Sequence, residues 1–321
     1  MSQARIAAPT VIPAVHLLAP AKLNLYLDVL GQRSDGYHEL ETLFERIDLA
    51  DEITLTPQVD GVTVTCDDPT LDCGVGNLAT KAAELLRRTC GVSQGVAIHL
   101  AKWIPIASGL GGGSSDAATV LLGLSRLWSL ALPVESLREL ACQLGSDVPF
   151  FLEETAFAVG RGRGDACEPL AGPLPVLWHV LVVANAQLST KEIYEGVVKN
   201  HQAHPPTTPL TASPASLTMC LHALRNGSLD ELAKGLSNAL EPEAIRRCPV
   251  IKDVQTCLRT SGCLGVMVSG SGPAVFGLCH DAAQARTVAQ QVRQHGAPQW
   301  LVRVVRTFDG ALEGASGTRV A

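Results

Sequence analysis

One stretch limits what this chain can fold into more than any other: Pro105-Ile106-Ala107-Ser108-Gly109-Leu110-Gly111-Gly112-Gly113-Ser114-Ser115. Val96–Trp103 before it reads as a strand, and after it Ala117, Val120, Leu121, Leu124 and Trp128 recur at helical spacing over Ser115–Trp128. Four glycines in the five positions 109–113 let the backbone approach a ligand closely and turn its N–H groups toward one point. The start of the following helix adds unsatisfied donors and the positive end of a dipole, so the segment predicts an anion cradle. A flexible connection is the plainer alternative, but a linker is not normally so short or so tightly joined to an amphipathic helix. Ser114 and Ser115 can cap the helix, bond a phosphate or touch a metal.

Single residues exclude the common phosphate loops. A Walker loop needs Gly-Lys before Ser or Thr, and Gly-Lys occurs nowhere in the chain. A dinucleotide fingerprint opening at Gly109 requires glycine at position 114, which is Ser114. Protein-kinase catalytic and metal motifs are absent. An esterase elbow around Ser271 also fails, because Ser269 and Pro273 stand where glycines belong.

Patterning around the loop predicts two α+β units. Leu23, Leu25, Leu27 and Val29 alternate with Lys22, Asn24, Tyr26 and Asp28. That period means a half-buried strand with Lys22 and Asn24 on the face opposite the core. Gly31–Gly36 reads as a turn, and Thr42–Ile47, Glu52–Thr56 and Gly61–Cys66 as the rest of an antiparallel meander. Asn77 is placed to cap a helix over Asn77–Arg88, and Val134–Leu144 reads as a helix with Gly145 at a left-handed C-cap. Phe150–Val159 and Val176–Ala184 read as strands. Past a proline-rich loop at His201–Ser216 come helices at Ser228–Ala239, Val250–Ser261 and Ala282–His295. Strands at Val266–Val268, Ala274–Leu278 and Leu301–Thr307 alternate with them. The division expected is a flexible N-terminal extension over 1–16, a first domain over 17–172, a second over 173–308 and a tail over 309–321.

Charge narrows the function classes. With 25 basic and 31 acidic residues and no Lys/Arg cluster, the chain lacks the footprint of a nucleic-acid surface, whose affinity rests on neutralised phosphates. No run reaches the ~18 apolar residues of a membrane span. The ten cysteines lie singly, with no C-x-x-C pair, and read as reduced thiols rather than a disulfide framework or zinc site. Met1–Ala21 is apolar after Arg5, like a signal peptide, but Pro9, Pro13 and Pro20 break its helix, so a cytoplasmic protein is expected.

Two further segments matter: Gly145-Ser-Asp147-Val-Pro149-Phe-Phe151 and Ser269-Gly-Ser271-Gly-Pro273. Alone, Asp147 reads first as a turn aspartate bonding its own backbone, and the second segment equally as a plain tight turn. With Pro20-Ala-Lys22-Leu-Asn24-Leu25, Asp35-Gly-Tyr37-His38-Glu-Leu40 and the glycine loop, they follow in order the motifs of the GHMP small-molecule kinases. The chain resembles that family from about Ala19 to Phe308.

The resemblance implies an α+β, two-domain GHMP kinase fold. Its N-terminal β-α domain would have a left-handed-type crossover and its C-terminal domain would be ferredoxin-like. It also implies ATP and Mg²⁺, with the ATP phosphates on Pro105–Ser115, Asn77 near the adenine, and Lys22 and Asp147 as the catalytic pair. Asp35–His38 and Asp147–Phe151 narrow it to the branch that phosphorylates the 2-hydroxyl of a cytidine-diphosphate-linked methylerythritol. There Tyr37 would stack on the base, His38 read its polar edge, Tyr194 supply a second aromatic ring and Asn24 face the substrate. Ser115 is a candidate metal ligand and Asp116 a first-turn helix charge; whether Asp147 acts as a base or an orienter stays open. Family members acting on homoserine, mevalonate or a sugar are the alternatives, with a non-catalytic nucleotide-binding protein behind them. A monomer or weak homodimer is expected, without nucleic-acid or membrane partners.

Overall fold

The alternation over Leu23–Val29 belongs to a much longer strand, β1 (Val15–Gln32), paired antiparallel along its length with β2 (His38–Gln58). The computed structural model describes residues 13–203, 216–308 and 310. The two strands expected at Thr42–Ile47 and Glu52–Thr56 are one continuous β2, and the expected meander stops there. β3 (Val62–Cys66) lies not beside β2 but parallel to β4 (Gly95–Ala101), which takes the place next to β2 after a crossover through α1 (Leu78–Cys90). The apolar pattern of a strand does not encode its neighbour; the crossover does.

Helices α1, α2 (Gly112–Leu127), α3 (Val134–Leu144) and α4 (Val148–Leu152) bury their apolar sides in one core with this sheet. Asn77 caps α1, its Oδ1 accepting the Ala79 N–H at 2.9 Å. α2 begins at Gly112, three residues before the helix start read from the sequence. Gly145 is extended rather than left-handed, because the chain runs straight on through Ser146 and Asp147 into α4. α4 takes the first three residues of the strand expected at Phe150–Val159, and residues 153–156 separate it from what remains of that strand. Pro149 suits a first helical turn, and that turn buries Phe150 and Phe151. Only then do β5 (Phe157–Gly162), paired with the first half of β2, and β6 (Ala166–Pro169) follow.

The second half opens with β7 (Trp178–Val183) and α5 (Thr190–Ala203). The loop expected at His201–Ser216 gives its first three residues to α5, and residues 204–215 lie outside the described residues, as do most of the extension and the tail. α6 (Leu217–Asn226) and α7 (Leu229–Gly235) come next, and the helix expected to Ala239 stops at α7. Ser237–Asn238 instead form β8, which joins the first sheet in parallel beside Tyr26 and Leu27. After α8 (Glu241–Arg247) and α9 (Val250–Thr260) come β9 (Gly265–Val268), β10 (Ala274–Cys279), α10 (Ala282–His295) and β11 (Leu301–Arg306). Their sheet is antiparallel throughout, in the order β11-β7-β10-β9. With helices between its outer strand pairs, this is the ferredoxin-like arrangement expected. No helix among the described residues is long and apolar enough to cross a membrane.

Candidate active site

Between the two sheets lies a cleft of about 1070 Å³. It is lined by β1, β2, the glycine loop, the starts of α2 and α4, α5 and the β9–β10 turn. Every candidate site residue named from the sequence faces it except Ser115, which is buried one step behind.

The glycine loop is fixed by its carbonyls. Lys22 N–H donates to Leu110 O (2.9 Å), Ala274 N–H to Ser108 O (3.1 Å) and Ser269 Oγ to Gly109 O (3.3 Å). Gly109 (φ 81°) and Gly111 (φ 73°) are left-handed. A Cβ on Gly109 would stand 2.3 Å from Ser269 O, and one on Gly111 3.0 Å from Lys22 Cγ and the Phe151 ring. No side chain caps α2, whose N-cap is Gly111, so its first N–H groups have no side-chain partner. Ser114 and Ser115 sit inside the first turn and cap nothing. Ser115 Oγ is buried with no hydrogen-bond partner among the described residues. The β9–β10 turn is more than a tight turn: it docks on this loop, and its Ser271 Oγ lies 2.9 Å from Thr190 Oγ1 of α5.

Lys22 and Asn24 do not lie on a half-exposed face. They are 3% and 1% exposed, because β1 is covered on both sides, and they form the floor of the cleft. Lys22 Nζ donates to Asn24 Oδ1 (2.5 Å), whose amide donates to Thr42 Oγ1 (2.8 Å), whose hydroxyl donates to Tyr26 O (2.6 Å). That chain fixes the ammonium 3.5 Å from Asp147 Oδ2. Asp147 stands at the start of α4 with no capping hydrogen bond to its side chain, so it is not the turn aspartate of the alternative reading. A third of its side chain is open to the cleft.

At the aromatic end, the Asp35 carboxylate accepts the Tyr37 N–H (3.1 Å) around Gly36 (φ 86°), and the Tyr37 ring stays half exposed. His38 stacks on Tyr194 of α5 with centroids 5.1 Å apart. Burial holds its imidazole below the ordinary histidine range, and His38 Nε2 has no partner among the described residues. At the far end, Asn77 lines the cleft with its amide engaged on both sides, by Ala79 N–H and by Asp72 O (2.9 Å).

One cluster in the cleft wall escaped the sequence reading. Asp116 is not a solvated first-turn charge: it is 3% exposed and accepts from Lys102 Nζ at 2.6 Å. Lys102 also pairs with Asp51, whose other oxygen accepts the N–H groups of Trp103 (2.6 Å) and Ile104 (2.8 Å) just ahead of the glycine loop. Burial pushes the Asp116 carboxyl up, against the pull of Lys102. The only trace in the sequence is a lysine at the end of a strand. Among the described residues, no group of three or more His, Cys, Asp and Glu side chains is arranged to hold a metal ion.

Known proteins resemble the chain over most of its length. The GHMP kinases N terminal domain family matches residues 77–154, and the GHMP kinases C terminal family residues 220–298. The 4-diphosphocytidyl-2-C-methyl-D-erythritol kinase of Geobacter sp. (strain M21) is 42% identical, over 92% of this chain and 99% of the relative. The kinase of that name from Pelotomaculum thermopropionicum is 40% identical over 93% and 99%. A crystal structure of 4-(cytidine 5'-diphospho)-2C-methyl-D-erythritol kinase superposes with TM-score 0.74 at 37% identity, covering 91% and 99%. The L. major mevalonate kinase in complex with R-mevalonate superposes with TM-score 0.75 at 18% identity over 92% and 96%, a likeness of fold alone. Identities of this size over nine-tenths of the sequence, on a shared two-domain fold, settle the kinship: the chain belongs to the GHMP kinase family.

Proposed function

We propose that this chain transfers the terminal phosphoryl group of ATP to the 2-hydroxyl of 4-diphosphocytidyl-2-C-methyl-D-erythritol, the substrate in its relatives' names. One observation carries the reading. A single cleft has the amide-rich loop at one end and Tyr37, His38 and Tyr194 at the other, with Lys22 and Asp147 3.5 Å apart between them.

Phosphoryl transfer through a loose transition state is mostly positioning and charge stabilisation. The N–H groups of the loop and of the α2 start would hold the phosphates of ATP, with the adenine beyond Asn77. The base of the acceptor would lie among Tyr37, His38 and Tyr194. Its hydroxyl then reaches Asp147, which orients it and accepts its proton as the oxygen bonds to phosphorus. Lys22, held by Asn24, stands where it offsets the negative charge that gathers at that oxygen. A tertiary alcohol is hindered, so alignment matters; holding reactants in line is worth about 7–11 kcal/mol of barrier.

Ser115 Oγ, buried at the start of α2 without a partner, is a hard oxygen donor of the kind Mg²⁺ takes alongside substrate phosphates. It would hold the ion together with Asp116, which lines the cleft and whose Oδ1 has no partner among the described residues while its Oδ2 is engaged with Lys102. Bound Mg²⁺ supplies charge neutralisation on the phosphates. The ten cysteines, all free thiols, suit the reducing cytoplasm where ATP is abundant.

The test is an ADP-release assay with 4-diphosphocytidyl-2-C-methyl-D-erythritol, homoserine and mevalonate offered in turn. Turnover with the first alone is expected; turnover with either of the others and not the first refutes the reading.

A further inference from the structure

Arg163 belongs to none of the motifs singled out from the sequence, yet it reaches the aromatic end of the cleft. It sits at the tip of the β5–β6 hairpin, between the left-handed glycines Gly162 (φ 69°) and Gly164 (φ 93°). The side chain does not run out into solvent. It folds back so that the guanidinium carbon lies 4.8 Å from the centroid of the Tyr37 ring. Asp165 clamps it there, accepting from Nε at 2.9 Å and from Nη2 at 2.6 Å, and Nη2 also reaches the Cys142 carbonyl of α3 at 3.3 Å. The clamp is braced in turn, since the Arg163 N–H donates to the other Asp165 oxygen (3.1 Å).

Tyr37 has little else to hold its ring. It is 52% exposed, and its hydroxyl makes no hydrogen bond among the described residues. Its backbone N–H is fixed by Asp35, which leaves the ring itself free to turn. A ring that must stack on a base loses affinity in proportion to the freedom it gives up on binding. A planar guanidinium against one face removes that freedom beforehand, which a point-charged ammonium does less well.

We propose that Arg163 is a positioning residue for substrate choice: clamped by Asp165, it backs the Tyr37 ring and presents the opposite face to a pyrimidine base. The inference rests on the substrate reading above, and the experiment separates the two. The full chain is titrated calorimetrically with cytidine 5'-diphosphate in the absence of ATP, and steady-state constants are measured with the full substrate.

Arg163→Gln is expected to weaken cytidine diphosphate binding by about 3- to 10-fold and to raise KM for the cytidyl substrate by the same factor. kcat and KM for ATP should stay within about twofold, because the guanidinium is engaged with Tyr37, Asp165 and the Cys142 carbonyl at the aromatic end of the cleft. Arg163→Lys should restore only part of the loss. Asp165→Asn should reproduce it with Arg163 still present. In a Tyr37→Ala background Arg163→Gln should cost nothing further, as two residues acting through one contact require.

Unchanged binding in Arg163→Gln overturns the inference. So does tighter binding, which would mean that the guanidinium occupies the place of the base. A fall in thermal stability with KM unmoved overturns it as well. A wild-type chain that ignores cytidine diphosphate overturns the substrate reading and the inference together, whereas a binding-competent wild type with an indifferent Arg163→Gln overturns the inference alone.

Discussion

Asp147 and Lys22 meet because each is placed by something other than the other. Asp147 is carried by the entry to α4, and Lys22 by a hydrogen-bonded chain through Asn24 and Thr42. Replacing the carboxylate should therefore remove chemistry without moving the site. Asp147→Asn is expected to lower kcat by roughly 10²–10⁴, the range for acid–base groups, with KM for ATP nearly unchanged. A variant with wild-type kcat would take Asp147 out of the mechanism. Lys102 is the opposite case, a buried cation that keeps two buried carboxylates from facing each other unpaired. Lys102→Met should cost about 3–5 kcal/mol in urea unfolding, as removal of one partner from a buried ionic cluster does. A loss below about 1 kcal/mol would show that water reaches the cluster. The difference between the two sites is also a difference in legibility. The glycine loop was readable because four glycines in five positions are more than plain folding calls for, whereas Lys22 and Asp147, one in an alternating strand and one in an ordinary turn, were singled out only by the order of motifs shared with the GHMP kinases. Lys102, Asp51 and Asp116 come from the end of one strand, the middle of another and the first turn of a helix, and no spacing along the chain brings those three together.

At the scale of elements, α5 decides where Tyr194 stands, and Gly196 decides where α5 stands. A Cβ on Gly196 would lie 2.0 Å from Glu243 Oε1 of α8. That carboxylate cannot swing away, for Arg246 grips it through two bonds of 2.7 Å and Arg247 through a third. Gly196→Ala should push α5 outward and cost about 1–3 kcal/mol, the usual penalty of overpacking. KM for the cytidyl substrate should rise while KM for ATP holds. Equal changes in both constants would show that α5 does not act through Tyr194. The same carboxylate gives the fold a pH-dependent element. The hydrogen bond from Arg246 first, and then Arg247, hold the Glu243 carboxyl down to about 2, against an ordinary 4.5. Its contribution is therefore complete above about pH 4.5 and is lost as pH falls toward 2. Arg246 is largely exposed, so screening limits that contribution to about 1 kcal/mol. Unfolding of Glu243→Gln followed from pH 6 to pH 2 should show a shallower acid decline than the parent; an identical decline would assign the acid loss to other carboxylates. Elements with a full helical period, such as α1, α3 and α10, were legible from their apolar stripes. Phe150-Phe151-Leu152 was not, because a short apolar run fits a buried strand and a buried helical turn equally well. The two residues of β8 are too few to carry any period.

Over the whole molecule, the two halves are joined by buried polar contacts. Glu45 of the first sheet accepts from Thr307 Oγ1 (2.7 Å) and lies 2.8 Å from His179 Nε2, all three fully buried in the seam. Asn238, lodged beside β1, donates to the carbonyls of Val268 and Gly270 at 2.9 and 2.8 Å. These contacts bring the β9–β10 turn down on the glycine loop, and the place where they meet is Gly109. A Cβ there would collide with Ser269 O at 2.3 Å and Gly272 N at 2.9 Å, backbone atoms that no rotamer change can move. The substitution must then either part the halves or displace the loop. A misplacement of about 1 Å in a site that works by alignment can cost on the order of 100-fold. Gly109→Ala is accordingly expected to lower kcat/KM for ATP by about that factor. The matched control is Gly91→Ala, also at a left-handed glycine (φ 63°) but with nothing within 4 Å of its added Cβ. It should lose about 1 kcal/mol to backbone strain and keep its activity. If Gly109→Ala behaves like Gly91→Ala, the phosphate loop does not depend on the second half for its shape, and the seam serves stability rather than catalysis.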